Sequence, residues 1–445
     1  VDEIRAAFAH GHKRTLLVSP TGSGKTVMFS YLARGVRAKN KRVYILVHRD
    51  ELVEQVSETL AKFDVPHGII AAGRPATPSQ VQVCSVFSLV NRLDDYPPPD
   101  LIIPDEAHHA CSGSTWDRIF KAWPESFVLG VTATPIRLDG KPLKGSFAHM
   151  VLGPTPAELM EGGDLCGYTL YAPPVAIGKL KKRMGDYVKS ETAAAMDKPQ
   201  LVGNAVEHYK ALAAGKRAIV FCVSLEHAEN TAAAFRAAGF AAQRIDGTMK
   251  RGARKQLVGA FSAGTIQVLT SCDLVSEGFD LPAIEVAILM RPTPSLALYL
   301  QQVGRSLRPF PGKDKAIILD HAGNSGVHGL PDDDREWCLD GEESGRKGKA
   351  PPTLRLCGRC YAHTKSGVMV CPHCQWAWPA EAREVEAVSG ELEVVSPDEV
   401  ARVKLDLRRE VGMAKTAEAL IAIEKARGYK PGWHRHVLAA RGGVR

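Results

Sequence analysis

Ser19-Pro20-Thr21-Gly22-Ser23-Gly24-Lys25-Thr26 stands between the apolar run Arg14 to Ser19 (RTLLVS) and a helical pattern from Lys25 to Ala38. Two glycines in such a turn let the backbone curl until its N–H groups converge on one point. A helix that starts there adds the positive end of its dipole. Such a turn cradles phosphate oxygens, with Thr21, Gly22, Ser23 and Gly24 as its wall. Lys25 is placed to reach the β- and γ-phosphates of a nucleotide, and the Thr26 hydroxyl to ligate Mg²⁺.

Working outward, the same alternation continues. Arg42 to Val47 (RVYILV) is a second strand and Asp50 to Phe63 a second helix. Val81 to Ser85, Leu101 to Ile103 and Phe127 to Thr132 are further strands. Short apolar runs separated by helices of this length predict a parallel sheet covered on both faces. The pattern then repeats. Arg217 to Cys222, Ala241 to Ile245, Ile266 to Thr270, Val286 to Met290 and Ala316 to Asp320 read as strands, with helices at Glu226 to Ala238 and Gly252 to Ser262. Two α/β domains are therefore expected, 1–165 and 196–325, joined by a linker at 166–195. A Gly-, Pro- and acid-rich stretch follows at 326–352 and reads as a second linker.

The chain has 445 residues, 45% apolar and 24% charged. That is ordinary for a globular protein and excludes collagen-like, disordered and disulfide-scaffold classes. No apolar run reaches the roughly 18–20 residues of a membrane span, and no membrane partner is expected. With 57 Lys and Arg against 49 Asp and Glu, the net charge is +8. This permits a polyanionic partner without requiring one. Most of the excess lies in the tail. Residues 402–445 hold 11 basic and 4 acidic side chains, with Tyr429 and Trp433 among Lys430, His434, Arg435 and His436. A basic helical tail at 396–445 fits either a nucleic-acid contact or a helical cap.

Ten cysteines are present, four of them in one segment: Cys357-x₂-Cys360 and Cys371-x₂-Cys374, ten residues apart. Paired knuckles of this spacing suit tetrahedral Zn²⁺ held by four thiolates, a closed structural site spanning 353–380. The scattered remainder points to a reducing compartment, so a cytoplasmic location is expected, nucleoid-associated in a bacterium.

Further chemistry falls on the strand ends. Asp105-Glu106 follows the run Leu101-Ile102-Ile103, where Asp105 would hold Mg²⁺ through its water shell and Glu106 would polarise an attacking water. Pro104 has no N–H to give a ladder, so the strand is expected to close one residue early. Thr132-Ala133-Thr134-Pro135 ends another strand, and its hydroxyls can relay position between sites. In Gln301-Gln302-Val303-Gly304-Arg305-Ser306-Leu307-Arg308, Arg305 and Arg308 lie three apart. On a helix they would share a face suited to a triphosphate.

The ordered set SPTGSGKT, VHRDELVEQ, DEAHH, TATP, IVFCVS, TSCDLVSEGFDLP and QQVGRSLRP resembles the superfamily 2 helicases. Within these it is most similar to RadD-type DNA repair ATPases and their phage-encoded relatives, through DEAHH, EGFDLP, the four-cysteine module and the Arg427 to Trp433 element. The resemblance implies two tandem RecA-like domains with ATP and Mg²⁺ between them. It implies that Arg49, Ser85 and Ser88, and Ser224 and Thr270 in the second domain, touch a nucleic-acid backbone. Gly278 and Asp280 would sit at the interdomain cleft, and His108 would couple the ATP site to Thr132 and Thr134. Gln301 would lie near Glu106, and Arg305 and Arg308 on the γ-phosphate. An adenine-reading Arg and Gln normally precede the first motif. Val1 to Arg14 holds no such glutamine, and the element is expected upstream of Val1.

The implied activity is a DNA-dependent ATPase or helicase in repair or recombination. Its partners would be single-stranded or branched duplex DNA and a single-strand-binding or recombination protein. An RNA helicase remains an alternative, because both grips would be on the backbone. So does a nucleic-acid clamp with an idle ATP cycle. A restriction-type translocase would carry a nuclease or methyltransferase signature, and neither is visible.

Overall fold

A computed structural model describes residues 1–75, 77–136, 142–172, 182–183, 186–187, 192–193, 196–197, 199–272, 284–340, 354–357, 359, 362–365, 368–378, 410–411, 413–414, 416–426 and 432–440. They fall into two units, Val1–Trp378 and Pro379–Arg445.

The first sheet holds β1 (Arg14–Val18), β2 (Val43–Val47), β3 (Gly68–Ile70), β4 (Val81–Ser85), β5 (Leu101–Pro104), β6 (Phe127–Thr132) and β7 (His149–Leu152), in the order β3-β4-β2-β5-β6-β1-β7. Every pairing is parallel. All five residues of β2 are buried, as a strand covered on both faces requires. Alternate side chains feed two cores. Leu17, Ile45, Val83 and Leu129 enter one, and Leu16, Tyr44, Cys84 and Val128 the other.

β5 does not close one residue early: it runs through Pro104. That proline sits opposite Leu46, and Asp105 continues the strand direction, bridging Val131 and donating its N–H to Leu46 O at 2.9 Å. The ladder to β6 pairs Leu101 and Ile102, lapses, and resumes at Asp105. A single missing donor interrupts the ladder without displacing the chain.

The second sheet is also parallel: β8 (Tyr168–Tyr171), β11 (Ala218–Phe221), β12 (Ala242–Ile245), β13 (Val268–Ser271), β14 (Val286–Leu289) and β15 (Ala316–Asp320), in the order β12-β13-β11-β14-β15-β8. A short hairpin, β9 (Lys182–Arg183) with β10 (Asp186–Tyr187), lies outside it. β8 falls within the segment expected to be a linker. Its apolar Leu170 is fully buried against β15, which makes it the edge strand of this sheet instead.

The expected second linker also opens as structure. Leu330 packs in the second-domain core, whereas Trp337 and Leu339 pack against the first. Leu143 and Lys144 donate their N–H groups to Leu339 O at 2.9 and 3.0 Å. The Arg335 guanidinium holds the turn rigid by donating to the carbonyls of His328, Leu330, Pro331 and Asp333 at 3.2, 2.6, 3.3 and 2.8 Å. Residues 330–340 thus form a strap across the two domains. Composition alone hid it, because the acidic and proline residues mask three apolar anchors.

Beyond the strap, β16 (Leu354–Leu356) and β17 (His363–Lys365) form an antiparallel hairpin. It meets the second sheet at its open edge through the Tyr171–Ala362 bridge, and His373 Nδ1 lies 3.3 Å from Thr169 Oγ1. In the other unit, helices Ala417–Ala426 and Trp433–Ala440 pack around Leu420 and Ile423 with Trp433 and Val437. The Glu424 carboxylate accepts the His434 N–H and ring Nδ1 and the Gly432 N–H, at 2.9, 2.6 and 3.1 Å. These bonds hold its pKa down to about 2.

Candidate active site

The phosphate-cradle turn forms where the sequence places it. Gly24 caps the Lys25–Arg37 helix in the left-handed conformation at φ 77°, and Gly22 lies at φ 89°. Only glycine adopts both without strain. Ser19 continues β1 by donating its N–H to Thr132 O at 2.9 Å, and its hydroxyl meets Ser23 Oγ at 2.7 Å. Lys25 Nζ donates to Ser19 O and Pro20 O at 3.0 and 2.9 Å. Burial lowers its pKa, opposed by Glu106 and Asp105 and reinforced by Arg308 and Arg305. Four charged groups from two motifs therefore act on one ammonium from a third.

Asp105 is buried, and its Oδ1 accepts the Glu106 N–H at 3.0 Å. Burial and then the Glu106 charge push its pKa up to about 6, against the pull of Lys25. Glu106 occupies left-handed backbone at φ 49°, ψ 49°, a conformation a long side chain adopts only under constraint. Its Oε2 is buried, accepts no hydrogen bond from the described residues and lies 3.4 Å from His108 Nδ1. The same Nδ1 is 3.0 Å from Thr132 Oγ1, which donates to Thr134 O at 3.0 Å and accepts the Thr134 N–H at 3.3 Å. His108, Thr132 and Thr134 thus form one connected path from Glu106.

The other wall comes from the second domain. Gln301 and Arg305 are buried on the Leu296–Ser306 helix. Arg308 lies two residues past the end of that helix, so the two arginines do not share a helical face as expected. Leu307 still holds right-handed backbone at φ −82°, ψ −8°, and both arginines bear on Lys25. A Cβ on Gly22 would lie 3.4 Å from Arg308 Cγ and 2.9 Å from Leu165 Cδ2. Beside this contact, Thr21, Leu165, Gly304, Leu307 and Trp337 line an interdomain cleft of about 120 Å³.

The donor set fits Mg²⁺ and a nucleoside triphosphate. A hydroxyl, a buried carboxylate, an ammonium and a helix N-terminus converge, and the unbonded Glu106 oxygen is an acceptor held ready for a water. Gly278 and Asp280 lie outside the described residues.

Residues 1–137 match the family described as type III restriction enzyme, res subunit, and residues 198–309 match the helicase conserved C-terminal domain. A 51.5 kDa protein of a Lactococcus phage is 33% identical over 393 residues, covering 88% of this chain and 81% of that protein. IRC3 of Saccharomyces cerevisiae, named for an ATP-dependent helicase, is 29% identical over 350 residues. The chain belongs to the superfamily 2 helicases.

This helicase chain covers 74% of itself in the IRC3 match but only 51% of IRC3. Its fold aligns with a fragment assigned to the HsdR subunit of a type I restriction enzyme from Vibrio vulnificus. There the TM-score is 0.58 and the identity 22%, over 73% of this chain and 63% of that one.

The residues expected on nucleic acid are placed unequally. Arg49 caps the Asp50–Lys62 helix just past β2. Ser85 ends β4 and opens the helical turn Val86–Leu89, which carries Ser88. Ser224 caps the Leu225–Ala237 helix by accepting the His227 N–H at 3.0 Å. Thr270 is a correction. It is fully buried within β13 and donates its hydroxyl to Ala228 O at 2.7 Å, so its side chain is spent in the core and not presented on a surface.

Two features escaped the sequence reading. His48 stacks obliquely near His109, ring centroids 4.9 Å apart, and bears on Asp105. Arg254, nearly buried, reaches across the domains to the Glu51 carboxylate, while its Nη2 donates to Gly247 O and Met249 O at 3.1 and 3.2 Å. The basic residue in VHRDELVEQ drew attention to Arg49, but no local spacing links Glu51 to a residue some two hundred positions away.

In the four-cysteine segment, the sulfurs of Cys357, Cys371 and Cys374 lie within 4.8 Å of one another, and Cys357 and Cys374 are 3.6 Å apart. Cys360 lies outside the described residues.

Proposed function

We propose that the chain is an ATP-driven motor on DNA that acts in repair or recombination, gripping single-stranded or branched duplex DNA. The observation that carries the motor is the contact of Gly304 and Arg308 with the cradle turn, which puts cationic groups of one domain at the phosphate site of the other. Bound Mg²⁺–ATP would supply the phosphoanhydride bond and the cation that neutralises its oxygens. Lys25 and Thr26 would orient it, Glu106 would hold the attacking water, and Arg305 and Arg308 would meet the charge that develops on the γ-phosphate. Loss of that charge would release the second domain, and the His108–Thr132–Thr134 path would carry the change to the DNA face. The grip would be on phosphates, so binding should weaken steeply with salt.

DNA is favoured over RNA by the restriction-enzyme family matched by the first domain. It is also favoured by the resemblance to RadD-type ATPases, which includes the Arg427 to Trp433 element of the tail. The cysteine cluster fits a structural Zn²⁺ with Cys360 as fourth ligand, since thiolates about 2.3 Å from a tetrahedral zinc lie roughly 3.8 Å apart. A single-strand-binding or recombination protein is the partner class we favour, and the cytoplasm the place of work. The test is steady-state ATP hydrolysis with no polymer, single-stranded DNA, duplex DNA and RNA. Stimulation by DNA and not RNA is expected. Stimulation by RNA alone would move the function to RNA remodelling, and no hydrolysis in a folded sample would refute the motor.

A further inference from the structure

Three neighbouring strand ends of the first sheet carry chemistry that the phosphate contacts leave unused. β3, β4 and β2 lie side by side, with Ile70 registered on Cys84 and Ser85 on Val47. Just beyond these pairs the chain presents Arg74, Phe87 and Arg49. Phe87 and Arg49 each stand two residues past the Ser85–Val47 pair. The carboxyl ends of parallel strands are where open α/β sheets take their ligands.

Phe87 is 61% exposed, among the most exposed large apolar residues described. Its turn is firmly seated, because Val86 and Leu89 on either side are buried in the core. The phenyl group therefore stands in water by position and not through local looseness, at the cost of hydrating an apolar ring. Cationic groups flank it. Arg74 is fixed by Glu54 at 2.6 Å, and Arg49 sits at the start of the adjoining helix. An aromatic residue past one strand end, with an arginine past each neighbouring strand end, has the composition of a single-strand stacking platform.

We propose that Phe87 stacks on a base of single-stranded DNA, with Arg49 and Arg74 beside the flanking phosphates. The role rests on the DNA-motor function proposed above and names the element that meets the bases. Stacking is indifferent to sequence, since every base offers a π face, and so suits a motor that steps along any strand. A duplex, whose bases are already stacked on one another, gains nothing from it. Phe87 would therefore favour single strands over duplex.

The test is anisotropy binding of an oligo-dT and of an abasic oligonucleotide of equal length and charge, to the full chain and to Phe87→Ala and Phe87→Trp. Phe87→Ala is expected to weaken oligo-dT binding about tenfold or more while both proteins bind the abasic strand alike. Phe87→Trp should bind oligo-dT as the parent does, and oligo-dT should quench its emission beyond that of the parent chain. Equal oligo-dT binding by Phe87→Ala and the parent, equal losses on both oligonucleotides, or a Trp signal that oligo-dT leaves unchanged would each overturn the proposal. If the parent binds neither oligonucleotide and its ATP hydrolysis ignores DNA, the motor function fails, and the stacking role with it.

Discussion

The backbone of Gly304 stands directly against the side chain of Thr21: a Cβ built on Gly304 would fall 2.8 Å from Thr21 Cβ. The second domain can approach the cradle turn this closely only because position 304 has no side chain. Gly304→Ala should hold the domains apart. Overpacking of this kind costs about 1–3 kcal/mol, so kcat/KM for ATP should fall roughly tenfold to a hundredfold. Steady-state kinetics alongside a thermal melt would check this, with the melting midpoint expected to stay near that of the parent.

Glu106 is held in left-handed backbone with a buried, unbonded oxygen. If that oxygen orients the attacking water, Glu106→Gln should lower turnover about 10²–10⁴-fold and leave ATP binding within a factor of about three. Equilibrium titration with a fluorescent ATP analogue separates the two. His108→Ala, which cuts the path to Thr132, should instead reduce the ratio of DNA-stimulated to DNA-free hydrolysis.

Asp246 gives a pH dependence whose sign is fixed. Burial pushes its pKa up, but the Thr248 N–H and hydroxyl, at 2.8 and 2.5 Å, and Arg244, at 2.8 Å, outweigh it and leave the carboxyl below its ordinary value. A depressed carboxylate stabilises the fold above its unfolded pKa of about 4 and loses that contribution as pH falls through the folded value. Asp246→Asn should therefore be less stable at neutral pH and lose less on acidification. Chemical denaturation at pH 7 and pH 3.5 would show it. The same turn presents the Gly247 and Met249 carbonyls that hold Arg254, so the Arg254–Glu51 pair should loosen with it.

The strap makes a mechanical prediction. Leu339 O accepts two N–H groups from the first domain, and its half-buried side chain packs against that domain's core. Leu339→Asp should bury a charge against that core and detach the strap. The expected result is a lower melting midpoint and faster proteolytic cleavage between Leu330 and Leu339 than in the parent.

The sheets were legible because β2, β11 and β14 are short apolar runs buried along their whole length, as strands covered on both faces are, and β4 departs from this only at the polar Gln82 and Ser85. The geometry of the proposed ATP site was legible for a different reason: Gly22, Gly24, Lys25, Asp105 and Glu106 lie on local turns at strand ends that their own residue types favour. What the sequence hid depends on long-range register. Thr270 looked available in a motif but is sealed by its place in β13. Arg308 looked helical, but the helix ends at Ser306. β8 and the strap are stabilised by partners far away in the chain, Leu319 and Leu143, which no local pattern announces.

A zinc titration tests the cysteine cluster. The three described sulfurs lie within 4.8 Å of one another, so one Zn²⁺ per chain is expected by elemental analysis. Cys371→Ser should lower that content and destabilise the β16–β17 hairpin, and a chelator should do the same to the parent more slowly.

The central claim is that one ATP site is shared between the two domains. Its most direct test is DNA-stimulated hydrolysis by the parent, Lys25→Ala and Arg308→Ala under saturating DNA. Loss of turnover by at least about a hundredfold in both variants is expected, since arginines of this kind contribute roughly 10³–10⁵. Parent-like turnover in Arg308→Ala with loss only in Lys25→Ala would confine the chemistry to the first domain and contradict the claim.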